Sequence, residues 1–257
     1  MNIESCACTS VGRRDNNEDA ILHLPAIAPN IGLFAVADGM GGYEGGEVAS
    51  RLVVDSIEDL YRRYLTDMET TWPWLLSPDM TREESLLAAA IRSAGTAIAS
   101  QRSGRLSSMG STVVALMLKE KGAVLAHVGD SRVYRWRDGE LVQLTRDHSL
   151  YEEVRAAGGA QHMQSKRDCP FANVITRVLG LASSAEPDVQ TVAALPGDVF
   201  LLCSDGLSDP LTDPELAKLL STNRTDGLVG ATRRLVQAAY DAGGKDNITA
   251  VTVKVLD

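Results

Sequence analysis

The chain has 257 residues, 44% of them hydrophobic and 23% charged, which suits a soluble globular protein with a sizeable core. Its formal net charge is -9, from 34 acids against 25 bases, and this disfavours nucleic acid as a partner, because such binders normally show a basic face. An anionic substrate would need local positive charge from arginines or metal ions.

The amino-terminal M-N-I-E-S-C-A-C-T-S has no basic segment followed by a long apolar stretch, so no signal peptide is expected. No run approaches the roughly 20 apolar residues that span a bilayer. Cys203 sits in an apolar run and reads as a small buried hydrophobe. Cys6-x-Cys8 is a poor zinc spacing, and with Cys169 these residues are expected to be reduced thiols of a cytoplasmic protein.

Strands are predicted at Ile3 to Val11, Ala20 to Leu24 and Ile31 to Ala37. After the glycine-rich G-M-G-G-Y-E-G-G, a helix is predicted from about Glu47 to Leu65, with Val48, Leu52, Ile57, Leu60 and Tyr64 at helical spacing. Trp72-Pro73-Trp74 and Ser77-Pro78 mark a loop. Thr81 and Glu84 form a capping box for a second helix, to about Ser100. Strands resume at Ser111 to Leu118, Ala123 to Val128 and Ser131 to Arg137. Asp138-Gly139 then turns the chain into Leu141 to Leu144, a continuous antiparallel meander. Ser149 to Ala157 reads as helix, and the polar, aperiodic stretch 158–173 as a surface flap. Strands at Asp188 to Ala194 and Val199 to Cys203 flank a Pro196-Gly197 turn. Helices follow at Asp213 to Leu220 and Thr225 to Ala242, then a strand, Ile248 to Val255. No repeat or linker divides the chain, so one domain over 1–257 is expected. Its class is α+β, with two packed antiparallel sheets and helices on the outer faces.

Chemistry gathers at the strand ends. Asp38 ends G-L-F-A-V-A-D-G, Asp130 ends A-V-L-A-H-V-G-D, Asp205 follows D-V-F-L-L-C-S, and Asp246 precedes the last strand. One aspartate in a turn is ordinary. Four at strand ends, with glycine letting backbone oxygens come close, suggest hard oxygen ligands for divalent cations, with the Gly39 carbonyl as a further donor and Glu18 or Asp19 alongside. Arg14, in R-R-D-N-N-E-D, is placed to hold a phosphate against the ions, whereas Arg13 reads as a surface residue. The glycine loop has no Walker lysine and no G-x-G-x-x-G, so it is not a nucleotide loop. Of the histidines, His127 reads as a sheet residue, and His148 as structural ahead of proton donor.

The ordered set R-R-D-N-N-E-D, A-V-A-D-G-M-G-G, G-S-T-V-V-A, V-G-D-S-R-V-Y, L-T-R-D-H-S, L-L-C-S-D-G-L and G-G-K-D-N-I-T-A-V-T-V resembles the metal-dependent serine/threonine protein phosphatases, the protein phosphatase 2C-like family, in its compact bacterial form. The resemblance covers nearly the whole chain. It implies an α-β-β-α sandwich and hydrolysis of phosphoserine and phosphothreonine by a water bridging two Mn2+ or Mg2+ ions, opposing Ser/Thr kinases. By the same resemblance Asp38 bridges the ions with the Gly39 carbonyl on one of them. Asp205 and Asp246 ligate the other, and Glu18 and Asp19 lie near the centre. Asp130 with Asp205 makes a third, weaker site, Arg14 binds the phosphate, and Asn247 supports Asp246 from outside the ligand set. The partners implied are phosphorylated proteins, including kinases, with neither nucleic acid nor membrane, and a monomer is expected. Met40 stands where some eukaryotic members carry a histidine proton donor, which leaves that role to a water at the ions or to His148. A two-metal phosphodiesterase and a metal-free binding module are the rival readings.

Overall fold

Strands whose every residue is apolar need cover on both faces, and here two sheets and two helical layers provide it. A computed structural model describes residues 2–42, 44–66, 79–120, 122–158, 169, 171, 174–181, 185–221 and 226–256. The loop expected around 72–78 and most of the expected flap at 158–173 lie outside them.

One sheet runs in the order β1 (Ile3–Ser10), β11 (Ile248–Val255), β10 (Val199–Cys203), β7 (Arg132–Arg137), β8 (Glu140–Gln143). The other runs β2 (Asp19–Ala28), β3 (Ile31–Met40), β5 (Val113–Lys119), β6 (Gly122–Val128), β9 (Asp188–Val192), and β4 (Gly110–Ser111) pairs with the end of β3. All these pairings are antiparallel. Phe34, Val36, Leu116 and Leu125 from the second sheet meet Val133, Phe200, Leu202 and Val251 from the first, filling the space between. The opposite face of the second sheet packs on α1 (Gly45–Thr66) and α2 (Arg82–Gln101), and that of the first on α5 (Asp213–Leu220) and α6 (Gly227–Asp241). The result is an α-β-β-α sandwich. The capping box at α2 forms as expected, with the Glu84 amide on Thr81 Oγ1 at 3.2 Å and the Thr81 amide on Glu84 Oε2 at 2.8 Å. Among the described residues no helix is long and apolar enough to cross a membrane.

The continuous meander expected from Ser111 to Leu144 does not form. β5–β6 is a hairpin of one sheet and β7–β8 a hairpin of the other. The chain changes sheets over Gly129, Asp130 and Ser131, and Gly129 makes the turn at φ +106°, a conformation that side chains resist. The hairpin at Asp138-Gly139 has both residues at positive φ, 51° and 90°, as a two-residue turn between twisted strands requires.

Candidate metal centre

Alternation along β3 decides where Asp38 points. Leu33, Ala35 and Ala37 face the helices, whereas Phe34 and Val36 face the other sheet. Asp38 continues the second set and so sits at the rim of the space between sheets. Its cross-strand partner is Asp19, on the same face. Two acids directly opposite repel each other, and a sheet keeps such a pair only when something offsets the charge. The Asp38 peptide is pinned from both sides: its carbonyl accepts the Thr112 amide at 2.8 Å and the Ser111 hydroxyl at 3.0 Å, and Thr112 Oγ1 reaches Ser131 Oγ at 2.8 Å. Gly39 is wedged beneath. Its amide donates to the Glu18 carbonyl at 3.1 Å, and a Cβ there would collide with the Gly46 carbonyl.

The other acids arrive from the first sheet. Asp205 opens α4 (Asp205–Ser208), a single turn directly after β10 that is too short to show a helical period. Asp246 precedes β11, and Asp130 lies in the turn between sheets. The charges of Asp19, Asp205, Asp130 and Asp246 all act on Asp38. Burial first, and then these neighbours, push its carboxyl well above the usual range. Asp19 is pushed up to about 7, chiefly by burial, with Asp205 and Asp246 adding to it and the Ser204 hydroxyl, 2.9 Å from Oδ2, opposing it. Glu18 is raised by burial and by Asp246 and Glu47, against the pull of Arg14. Asp19 Oδ1 is buried and has no hydrogen-bond partner among the described residues. Converging carboxylates with an unanswered buried oxygen are a donor set that fits hard divalent cations. A cleft of about 500 Å³ adjoins them, lined in part by Asp205, Asp209, Lys245 and Asp246.

Asn247 ties the amino-terminal loop to this centre. Its Nδ2 donates to the Val11 and Asn16 carbonyls, both at 2.9 Å, and its Oδ1 accepts the Glu18 amide at 2.8 Å. Its own amide donates to Asp246 Oδ1 at 2.9 Å, so one residue fixes an acid and the loop facing it. Arg14 Nε donates to the Lys245 carbonyl at 3.0 Å, and Nη2 to Asp246 Oδ2 at 2.8 Å. Arg13, exposed as expected, also holds the Gly243 carbonyl at 2.8 Å and lies over the Tyr240 ring.

Sequence reading missed Ser204, whose hydroxyl donates to Asp19 and accepts the Thr249 amide at 3.1 Å, and Thr112 with Ser131. The available signal was the serine adjoining two of the strand-end aspartates, Ser131 beside Asp130 and Ser204 beside Asp205. His148 is buried and held by the fold. Its Nδ1 accepts the Gly129 amide at 3.1 Å, Nε2 lies 3.3 Å from Asp188 Oδ2, and the ring stacks on His127. Burial, His127 and Arg177 push its pKa down to about 4, and burial lowers His127 too. Both rings hold protons more weakly when folded than when unfolded. The stability this confers is complete above the ordinary imidazole range and is lost as pH falls toward 4. The raised carboxyls of Asp19 and Asp38 act in the opposite sense over the same window, so the imidazole contribution is read as a difference between two chains. In chemical denaturation the stability of the native chain relative to His148→Asn should fall on the order of 1–2 kcal/mol between about pH 6.5 and 4.5, and a difference that does not change with pH would refute the assignment.

The Protein phosphatase 2C family profile matches residues 10–238. The chain is 35% identical over 250 residues to the serine/threonine protein phosphatase PstP of Mycobacterium tuberculosis, covering 95% of this chain and 43% of that protein, so it spans less than half of that relative's length. It is 31% identical over 260 residues to the protein phosphatase PhpP of Streptococcus pneumoniae, with 98% of each covered. Among solved structures, the Staphylococcus aureus phosphatase Stp1 superposes with a TM-score of 0.85 at 29% identity, over 100% of this chain and 96% of that one. A PstP catalytic domain in complex with two manganese ions superposes with a TM-score of 0.79 at 33% identity, over 99% of each chain.

Proposed function

Because the chain belongs to the protein phosphatase 2C family, we propose that it is a metal-dependent serine/threonine protein phosphatase, hydrolysing phosphoserine and phosphothreonine in proteins. The observation that carries this reading is that four carboxylates from both sheets lie near enough for their charges to act on buried Asp38, with Asp19 directly opposite it in the ladder and Arg14 at the rim. Asp38, the Gly39 carbonyl, Asp205 and Asp246 would hold two Mn2+ or Mg2+ ions. Glu18 and Asp19 flank them, and Asp130 with Asp205 offers a third, weaker place. Bound there, the ions supply Lewis acidity that ionises water near neutral pH and offsets phosphate charge.

The chain's own residues do the positioning. Asp19 and Asp38 face each other across β2 and β3, which fixes their spacing without side-chain freedom. Asn247 holds Asp246 by its amide and the Glu18 loop by its side chain. Arg14, anchored through Nε and Nη2, makes no hydrogen bond through Nη1 among the described residues and would present it to a phosphate oxygen, stabilising charge during in-line transfer. We read residues 1–257 as one catalytic domain, monomeric and cytoplasmic, whose substrates include Ser/Thr kinases and their targets.

A phosphothreonine peptide should be hydrolysed with Mn2+ present, and hydrolysis should fall to background with a chelator or in Asp205→Asn. Turnover that survives either treatment would defeat the reading. Cleavage of single-stranded DNA or a phosphodiester in preference to the peptide would favour the phosphodiesterase instead.

A further inference from the structure

Away from the candidate metal centre, four consecutive residues, Thr145, Arg146, Asp147 and His148, each hold a polar contact to the segment around Asp130. Thr145 Oγ1 accepts the Val133 amide at 3.1 Å. The Arg146 carbonyl lies 2.8 Å from His127 Nε2. Asp147 takes the Arg132 guanidinium in a two-pronged bond of 2.9 and 2.7 Å. His148 bonds Gly129 twice: its amide donates to the Gly129 carbonyl at 2.9 Å, and its Nδ1 accepts the Gly129 amide at 3.1 Å. The residues gripped, 127, 129, 132 and 133, bracket Asp130 on both sides, where the chain passes from one sheet to the other. Thr145, Asp147 and His148 are buried, as is Asp130.

His127, His148 and Asp188 bring three potential ligand atoms within 4.8 Å of one another, which invites a metal reading. The hydrogen bonds oppose it. With the Gly129 amide on Nδ1, the proton of a neutral His148 ring belongs on Nε2, and a protonated nitrogen does not ligate. Asp188 is already engaged by Arg177, Nη1 to Oδ1 at 2.7 Å. What remains is an orienting device: Asp188 faces the outer nitrogen, the ring is fixed, and the inner nitrogen holds Gly129.

We propose that segment 145–148 is a brace that sets the position of Asp130, with His148 as a positioning residue acting through Gly129. It rests on the reading of Asp130 as a ligand of the weakest metal place. Asp130 lies between the end of β6 and the start of β7, outside both strand ladders and beside Gly129 at positive φ, so the contacts on its flanks help to place its carboxylate. Groups that orient a ligand from behind typically alter metal affinity without touching the metal.

Asparagine can place its Oδ1 where His148 Nδ1 lies, whereas glutamine reproduces the outer nitrogen alone. In calorimetric Mn2+ titration, His148→Gln should weaken the lowest-affinity site by about tenfold and leave the tighter sites unchanged, a loss typical of removing an orienting partner. His148→Asn should restore that site. Hydrogen exchange at the Gly129 amide should quicken in His148→Gln and stay slow in His148→Asn. Equal behaviour of the two variants, or equal weakening of every site, overturns the brace. Asp130→Asn separates the two claims. If it spares the weakest site, the ligand reading fails and takes the brace with it. If it removes that site while His148→Gln does not, only the brace fails. Should His148→Gln not fold, Asp188→Asn, on an exposed side chain, should produce a smaller loss at the same site, and no loss counts against the brace.

Discussion

Substituting Asp38 with asparagine is expected to lower Mn2+-dependent hydrolysis of a phosphothreonine peptide by about 10³-fold or more, while raising the melting temperature of the metal-free protein. The two effects have one cause. Asp38 faces Asp19 across the ladder and feels Asp205, Asp130 and Asp246 as well, so without cations the carboxyl is held against its preference to ionise. An uncharged isostere removes that repulsion and gains about 1 kcal/mol, a few degrees in a chain of this size. Added Mn2+ should then stabilise the native chain strongly and the variant little. A variant that is both less stable without metal and still active would show that Asp38 is an ordinary turn residue.

Asn247→Ala should be nearly as damaging, although the proposed mechanism gives Asn247 no contact with substrate. It removes three side-chain hydrogen bonds, to the Val11 and Asn16 carbonyls and from the Glu18 amide, at a position almost sealed from solvent. At about 1 kcal/mol each, the loss is roughly 3 kcal/mol of stability. The amino-terminal loop carrying Arg14 and Glu18 would lose its anchor. A displacement near 1 Å there is expected to reduce kcat/KM by about 10²-fold. Limited proteolysis should cut faster within residues 11–18. Unchanged kcat/KM together with unchanged proteolysis would count against the staple.

Much of this was legible because it is local. The apolar run of β3 ending on Asp38, the Thr81–Glu84 box and the Asp138-Gly139 turn are each written in a few adjacent residues. The face that Asp38 takes was not legible, because the run before it is apolar at every position. The change of sheets at Gly129 was not legible: β6 is mostly apolar and β7 mixes arginines with apolar residues, but nothing in either pattern says whether the second strand pairs with the first. Only the glycine hints at it. The work of Asp147 and His148 was hidden for a related reason, since their partners Arg132 and Gly129 lie 15 and 19 residues away across a turn whose path alternation does not specify. Likeness to a family suggested support of Asp246 by Asn247, but the staple to the amino-terminal loop spans more than 200 positions and was not legible.

The pairing of β1 with β11 has a consequence for how the cell makes this protein. Asp246 and Asn247 enter just ahead of β11, and the loop they secure follows β1. Under the proposed function a nascent chain would therefore stay inert on the ribosome, however much of its first half has folded, until β11 emerges from the exit tunnel and zips onto the earliest strand. Topology alone, without any inhibitor, would then keep half-made molecules from acting on phosphoproteins.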